Sequence, residues 1–376
     1  MILKSTAMRD SSNPKPKVAH HSVGIREIAQ ELGISIGTVD RALHSRPGIN
    51  PITRSKVLQM AQTMGYRPNL AARYLKSKKQ LRISAHLPKE IAFFFDAVRE
   101  GILEAAAPFE PGVHVEFQMY PRLGEGDAEL FEHALKDGTS GIIISPGSPA
   151  AVRQLIRRAA RKNVPVVCVA TDAPGTERLA AVSAHPYTSG AIVGELLCRT
   201  LRSAGNLAVV TGSLETEDHA DKVRGFRSIV QTLGAGREVA AIIETHDHPE
   251  PAYDETLSVL RKNPDICGMY VSTANSLPVL QAIEDAGLTG KISVVTTDLF
   301  PALVPMIRSG RVLATINQRP LTQGRLALQA LHQFLVAGKC PRSNIAIAPH
   351  IVMVSNLDLF ARQLSPGNDQ AESSVR

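Results

Sequence analysis

Five polar side chains each come shortly after a short apolar run in the second part of the chain: Ser145, Asp172, Asn275, Asp298 and Gln318. If these runs are parallel strands, their carboxyl ends meet at one edge of a sheet, where open α/β sheets bind ligands. Carboxylates accept hydroxyl protons, and Asn and Gln both donate and accept. A helix cap explains any one of these residues, but together they predict a site for a monosaccharide or polyol.

Two aromatic residues, Phe94 and Phe95, open the first helical stretch after residue 87. An aromatic ring can stack on the C–H face of a sugar ring. Ordinary core packing is the alternative interpretation of both residues, because large aromatic side chains dominate protein cores.

A second chemistry is indicated near the N-terminus, where Gly24 to Leu43 has the pattern of two short helices with Gly33 at the turn. Ser35 is expected to cap the second helix by accepting a backbone N–H bond. The apolar periodicity leaves four residues facing outward and one just beyond: Ile36, Gly37, Thr38, Arg41 and His44. This pattern is typical of a helix-turn-helix, whose second helix lies in the DNA major groove.

Charge supports this interpretation. Residues 1–82 hold 15 Lys/Arg against 4 Asp/Glu, which leaves 27 against 31 in the rest of a chain with 42 and 35 in total. A basic head on a mildly acidic body predicts a polyanionic partner for the head alone. Arg41 is a candidate for reading guanine, with a contact to phosphate or to Asp40 as the alternative.

From Leu81 onward, short apolar runs alternate with amphipathic helical stretches. This alternation predicts parallel sheets covered by helices, and the number of strands favours two lobes. We expect the chain to cross between the lobes near 174–186, near Gln318 and again near Pro341. The last run, 345–354, would then complete the second lobe.

Other functional classes find little support. The four cysteines form no C-x-x-C pair, so no zinc site or disulfide framework is predicted. His246-Asp247-His248 lacks a third ligand at a recognisable spacing, and no phosphate-binding loop or nucleophile elbow occurs. We therefore expect no catalytic residues, no metal and no cofactor. No apolar run approaches ~18 residues, which predicts a cytoplasmic protein with no membrane partner.

Two segments, 34–41 and 65–75, together with this organisation, resemble the lactose-repressor (LacI/GalR-type) family of bacterial transcription regulators. The resemblance covers nearly the whole chain. It implies an all-α helix-turn-helix head of three helices, a hinge helix, and an α/β core of two lobes with parallel sheets, like a type I periplasmic binding protein of the ribose/galactose class. The expected boundaries are an arm at 1–21, the head at 22–68, the hinge at 69–80, the core at 81–362 and a tail at 363–376.

The hinge segment places Asn69, Ala72 and Leu75 on one helix face, since they recur every three residues. A plain connector is the alternative. In the resembling family such a helix folds against DNA, and the residue at the position of Leu75 inserts into the minor groove.

The resemblance also assigns sugar-contacting positions to Phe94, Phe95, Asp172, Asp298 and Gln318. Lys222 replaces the family's arginine, so a forked donor becomes a point charge. Asn275 matches only after a shift of two or three residues, and Thr273 is the ungapped neighbour. Three histidines are expected in loops that border the cleft: His219, His246 and His248.

These observations predict a homodimeric repressor that binds a pseudo-palindromic operator under the control of a small sugar or polyol. Two alternatives stay open at this point. One is a solute-binding protein of sugar transport, and the other is a regulator with a non-sugar effector.

Overall fold

The computed structural model describes residues 24–43, 47–64, 66, 80–361 and 364. The chain divides into two compact units, Met1–Asn69 and Leu70–Arg376. Within the described ranges, none of the helices combines the length and apolar character that a membrane crossing requires.

The first unit is a small helical head made of α1 (Ile25–Leu32), α2 (Ile36–Leu43) and α3 (Pro51–Thr63). Its core is formed by buried Ile28, Val39 and Val57, one from each helix. Gly33 ends α1 with a φ of 62°, a left-handed conformation that glycine adopts without strain. The Ser35 hydroxyl accepts a bond of 3.1 Å from the backbone N–H of Thr38, which confirms the predicted cap of α2.

The second unit contains two sheets. The first sheet is fully parallel, with strand order β11-β5-β4-β3-β1-β2. Its strands are β1 (Leu81–Pro88), β2 (Val113–Tyr120), β3 (Gly141–Ile144), β4 (Val166–Val169), β5 (Ala180–Ala184) and β11 (Asn344–Ile347). Its helices are α4 (Ala92–Ala106), α5 (Asp127–Lys136), α6 (Pro149–Arg161) and α12 (Pro320–Ala337).

The second sheet has the order β12-β10-β9-β8-β6-β7 and is parallel except for the antiparallel pair β10 and β12. Its strands are β6 (Asn206–Thr211), β7 (Val239–Glu244), β8 (Ile266–Val271), β9 (Ser293–Thr297), β10 (Ala314–Asn317) and β12 (His350–Val352). Its helices are α7 (Pro186–Thr200), α8 (Glu217–Leu233), α9 (Pro249–Lys262), α10 (Ser276–Asp285), α11 (Val304–Arg308) and α13 (Leu357–Ala361). Every residue of β3, β4 and β8 is buried, because helices cover both faces of each sheet.

The chain passes between the lobes three times. It leaves the first sheet after β5 and returns between β10 and α12. The third crossing lies at 348–349, between β11 and β12, so the prediction of a crossing near Pro341 was wrong. The physical reason is that α12 runs into β11, which extends the first sheet by pairing with β5. The apolar run 345–354 is therefore divided between both lobes.

Glycines allow the closest helix contacts in each lobe. A Cβ at Gly101 would overlap the carbonyl of Leu321, and one at Gly324 would overlap the carbonyl of Val98, so α4 and α12 touch through their backbones. In the second lobe, α7 and α8 meet in the same way, through Gly190 against Lys222 and Gly225 against Tyr187.

Candidate functional site

A cleft lies between the carboxyl ends of the two parallel sheets. Its empty space, including the open mouth, is about 460 Å³. The first lobe contributes Phe94, Phe95 and Ser145, and the second contributes Lys222, Asp298 and Gln318. The structure thus brings together six of the eight predicted effector-binding residues.

The two phenylalanines lie at the start of α4, just after Ile91, which adopts a left-handed φ of 52°. Their rings meet edge to face, with 5.0 Å between the centroids. Both line the cleft and both also belong to the apolar core of the first lobe. The two interpretations offered by the sequence are therefore compatible.

Asp298 and Gln318 form a pair at the ends of neighbouring strands β9 and β10. The Gln318 amide Nε2 donates to both carboxylate oxygens of Asp298, at 3.0 and 3.1 Å. Burial raises the pKa of Asp298 to about 6, although Lys222 and the bond from Gln318 act in the opposite direction. This carboxylate is held in place and is ionised above neutral pH.

Lys222 is fully buried on α8 and donates a bond of 2.5 Å from Nζ to Asp218 Oδ2, one helical turn earlier. Burial disfavours the ammonium charge, but the electrostatic effects of Asp218, Tyr270 and Asp298 outweigh it and raise the pKa of Lys222. The ammonium is charged. The other oxygen of Asp218, Oδ1, is buried and has no hydrogen-bond partner.

A third polar group centres on Asp247, in the loop after β7. Its Oδ1 accepts a bond of 2.5 Å from Thr273 Oγ1, and its Oδ2 lies 3.6 Å from His219 Nε2. Burial acts to raise the pKa of Asp247, but His219, Thr273 and Lys222 outweigh it and lower the pKa to about 2. Residues His246 and Asp247 both have left-handed φ values, 49° and 58°, which turn the loop toward the cleft.

Gly212 makes room for this group, because a Cβ there would lie 2.5 Å from both His219 Nε2 and Asp247 Oδ2. Against the prediction of three loop histidines, His219 lies on α8. His246 is in the loop, and His248 is the residue immediately before α9.

Two predicted residues, Asp172 and Asn275, lie outside the cleft lining. Asp172 is held by Arg178, whose Nη2 donates to Oδ2 at 2.6 Å and whose Nε donates to Oδ1. Asn275 precedes α10, and Thr273 lines the cleft in its place. Thr273, which matches the family's sugar-contacting position without a gap, is therefore the residue at the cleft, and Asn275 is not.

Contacts between the lobes border the cleft. Thr216 Oγ1 donates to the carbonyl of Gly147 at 2.9 Å. Arg122 Nη1 lies 3.1 Å from His248 Nδ1. Each contact joins a loop of the first lobe to the second and so holds the two lobes together beside the cleft.

In the head, the outward face of α2 is as predicted for Ile36, Gly37 and Arg41, which are all exposed. Thr38 is half-buried, and its hydroxyl lies 2.8 Å from that of Ser35. Four further predicted DNA contacts lie outside the described residues: His44, Asn69, Ala72 and Leu75.

Comparison with known families agrees with this division. Residues 24–69 match the family described as bacterial regulatory proteins of the lacI family, and residues 87–339 match the periplasmic binding protein domain. The chain belongs to the periplasmic binding protein domain family, and a DNA-binding region of the lacI family precedes this domain. It is a DNA-binding transcription regulator and not an enzyme.

Similar proteins include two regulators and one binding protein. Catabolite control protein A of Priestia megaterium is 26% identical over 271 residues, which are 71% of this chain and 79% of that protein. The protein of the same name from Staphylococcus aureus is 26% identical over 338 residues, 88% of this chain and 97% of that protein. A glucose-galactose binding protein from Geobacillus stearothermophilus superposes with a TM-score of 0.69 at 25% identity, covering 74% of this chain and 99% of that one.

Five polar residues of this core line the cleft without having been predicted: Thr171, Thr216, Asp218, Asp247 and Ser272. Ser272 directly follows β8, so the strand-end rule could have found it. Thr216 and Asp218 lie at the start of α8, where they read as helix-capping residues. No sequence signal distinguished them from the caps of other helices.

Proposed function

We propose that this regulator is a homodimeric repressor of a pseudo-palindromic operator, and that a monosaccharide or polyol bound in the cleft controls its affinity for DNA. Because the partner is chromosomal DNA, we infer that it acts in the cytoplasm. One observation carries the effector assignment: two pairs of polar residues and an aromatic ring line the same cleft. The pairs are Asp298 with Gln318 and Lys222 with Asp218, and the ring is that of Phe94.

The chemistry of these groups suits hydroxyl recognition. The Asp298 carboxylate accepts hydroxyl protons, and the Lys222 ammonium donates. The Phe94 ring offers an apolar surface to ring C–H groups. The similarity to a glucose-galactose binding protein supports the same class of ligand. We propose that ligand acts by favouring one arrangement of the lobes, because it shifts an equilibrium only by its differential affinity for the two states.

For DNA, the exposed face of α2 supports direct readout. We propose that Arg41 and Ile36 contact base edges, that Thr38 lies nearer the phosphates, and that Gly37 leaves a position where the base is read weakly. His44 would contact a base or phosphate, and Asn69, Ala72 and Leu75 would form the hinge that enters the minor groove. An Arg–guanine pair contributes ~1–3 kcal/mol of discrimination.

The effector assignment is tested by thermal unfolding of the full chain against monosaccharides and polyols. A ligand at 100 times its Kd stabilises the folded protein by about 2.7 kcal/mol. We expect at least one sugar or polyol to raise the Tm, and D298A to lose that shift while still binding a duplex selected from a random library. Stabilisation of wild type and D298A to the same extent would contradict the assigned site.

A transport binding protein is disfavoured by the helix-turn-helix unit, which such a role does not use. A regulator with a non-sugar effector is the outcome if no sugar or polyol shifts the Tm but another class of solute does. That result would leave the DNA-binding role intact and overturn the effector class.

A further inference from the structure

The charged groups of the cleft are mostly acidic. Three carboxylates line it, from Asp218, Asp247 and Asp298, against the single ammonium of Lys222 and the imidazole of His219. Among the described residues that line the cleft there is no arginine. Arginine and lysine are the side chains that bind phosphate and carboxylate groups through charge-assisted bonds.

The cleft's one ammonium is already neutralised. Lys222 Nζ donates to Asp218 Oδ2 at 2.5 Å within a fully buried environment. The pKa of Asp247 is lowered to about 2 by His219, Thr273 and Lys222, which outweigh burial, so that carboxylate is ionised at neutral pH. A second anion brought into this space would meet carboxylates without a free cation, in an environment where charges interact more strongly than in water.

Three buried polar atoms in the cleft lining need hydrogen-bond partners that a ligand could supply. Ser145 Oγ and Thr171 Oγ1 from the first lobe, and Asp218 Oδ1 from the second, have no hydrogen-bond partner. All three residues line the cleft. Unpaired buried polar groups cost stability, and they are expected to find partners in a ligand. Asp218 Oδ1 accepts only, so its partner must donate a proton; an alcohol hydroxyl does so, and an ionised phosphate oxygen does not.

We propose that the effector is an uncharged sugar or polyol, and that Asp218 and Asp247 exclude phosphorylated and acidic sugars. The proposal rests on the proposed function, since it narrows the ligand class of the same cleft. Asp218 is assigned two roles. Its Oδ1 accepts a hydrogen bond from a ligand hydroxyl, and its Oδ2 binds the Lys222 ammonium, which is then not available to bind a ligand anion.

The test compares matched pairs that differ by one phosphate: D-ribose and D-ribose 5-phosphate, D-fructose and D-fructose 6-phosphate, and myo-inositol and its 1-phosphate. Binding of each to the full-length protein is measured by calorimetry at pH 7.5. We expect the uncharged member of at least one pair to bind, and its phosphate ester to bind on the order of 100-fold more weakly or not at all.

Equal or tighter binding of a phosphorylated member would overturn this inference while leaving a sugar-controlled regulator in place. Binding of neither member of any pair, and of no other sugar or polyol, would instead overturn the proposed function. The two failures are therefore distinguishable.

The variant Asp218→Asn tests the residue assignment. It removes one negative charge and releases the Lys222 ammonium, so we expect the preference for the uncharged member to fall by ~10-fold or more. The matched control is Asp221→Asn, one turn further along α8, where the carboxylate pairs with the exposed Arg224 and does not line the cleft. An unchanged preference in folded D218N would contradict the role of Asp218. If D218N does not fold, Asp247→Asn is measured in the same way.

Discussion

Two buried aspartates of the same cleft, Asp298 and Asp247, have pKa values shifted in opposite directions. Burial raises the pKa of Asp298 to about 6, whereas the pKa of Asp247 is lowered to about 2. Around Asp247, a histidine, a threonine hydroxyl and Lys222 outweigh the effect of burial on the pKa. Around Asp298, Lys222, the uncharged amide of Gln318 and the smaller effect of His219 do not. Both are buried, so the difference comes from the partners.

The raised pKa of Asp298 predicts a pH-dependent stability. The folded state binds this proton more tightly than the unfolded state, so the associated stability is complete below pH ~4 and is lost as pH rises through about 6. Asp298→Asn removes this titration. We expect the free energy of unfolding of D298N, relative to wild type, to increase by about 1–3 kcal/mol between pH 4 and pH 7.5.

Thermal unfolding of ligand-free full-length protein at both pH values measures this difference. The titratable groups that face Asp298 are Lys222, Asp218, His219 and Tyr270, and all four are retained in both proteins. A difference between D298N and wild type that does not change with pH would contradict the prediction.

At the scale of elements, α7 and α8 illustrate how packing sets the site. Their backbones touch at Gly190 and Gly225, and the same α8 presents Asp218, His219 and Lys222 to the cleft. The apolar periodicity of each helix predicts its buried face. The close approach, however, depends on glycines placed opposite a partner's carbonyl groups.

Gly190→Ala is expected to destabilise the core by about 3 kcal/mol, because the new methyl would overlap the Lys222 carbonyl and push α8 away. Effector binding should weaken as well, since Lys222 moves with the helix. Gly194→Ala is the matched control in the same interface, where the nearest atom would be 3.1 Å away. It should cost below about 1 kcal/mol. Equal Tm values for G190A and G194A would refute this account.

At the scale of the whole molecule, the chain combines two compact units with different charge. The basic head contains the exposed face of α2, and the cleft lies in the second unit, where residues 83–376 are mildly acidic. Each unit has its own apolar core, one around Val39 and others around the two sheets. Separate cores allow DNA binding and effector binding to be lost independently.

Removal of residues 1–80 is expected to abolish binding to the selected duplex and to preserve the Tm shift caused by effector. The reason is that the described cleft residues all lie beyond residue 80. Gel-shift and thermal-shift measurements on the truncated chain decide the matter. Loss of both activities from a folded fragment would contradict a modular regulator.

Closure of the lobes gives a further prediction. Thr216→Val removes the bond of 2.9 Å to Gly147 that joins the lobes, and the loss of one such bond is worth about 1 kcal/mol. We expect the Kd for effector to rise ~5-fold, as measured by calorimetry. Thr256→Val is the control, because its buried hydroxyl has no partner and lies away from the cleft. The same change in Kd for both variants would argue against a role in closure.

The sequence by itself determined the elements and their class. Some features depend only on residues close together in the chain: the turn at Gly33, the Ser35 cap, and the alternation of apolar runs with helices. These features predicted the head and the two parallel sheets. The strand-end rule also identified Ser145, Asp298 and Gln318, because a residue directly after a parallel strand must lie at the sheet's carboxyl edge.

Only the tertiary structure decided which side chains share the cleft and where the last crossing lies. Asp172 lies three residues after β4 and is held by Arg178, while Asp218 and Asp247 reach the cleft from a helix start and a strained loop. Strand β11 joins the first sheet through a pairing with β5, about 160 residues earlier. Such contacts depend on partners far apart in the chain, and local periodicity does not encode them.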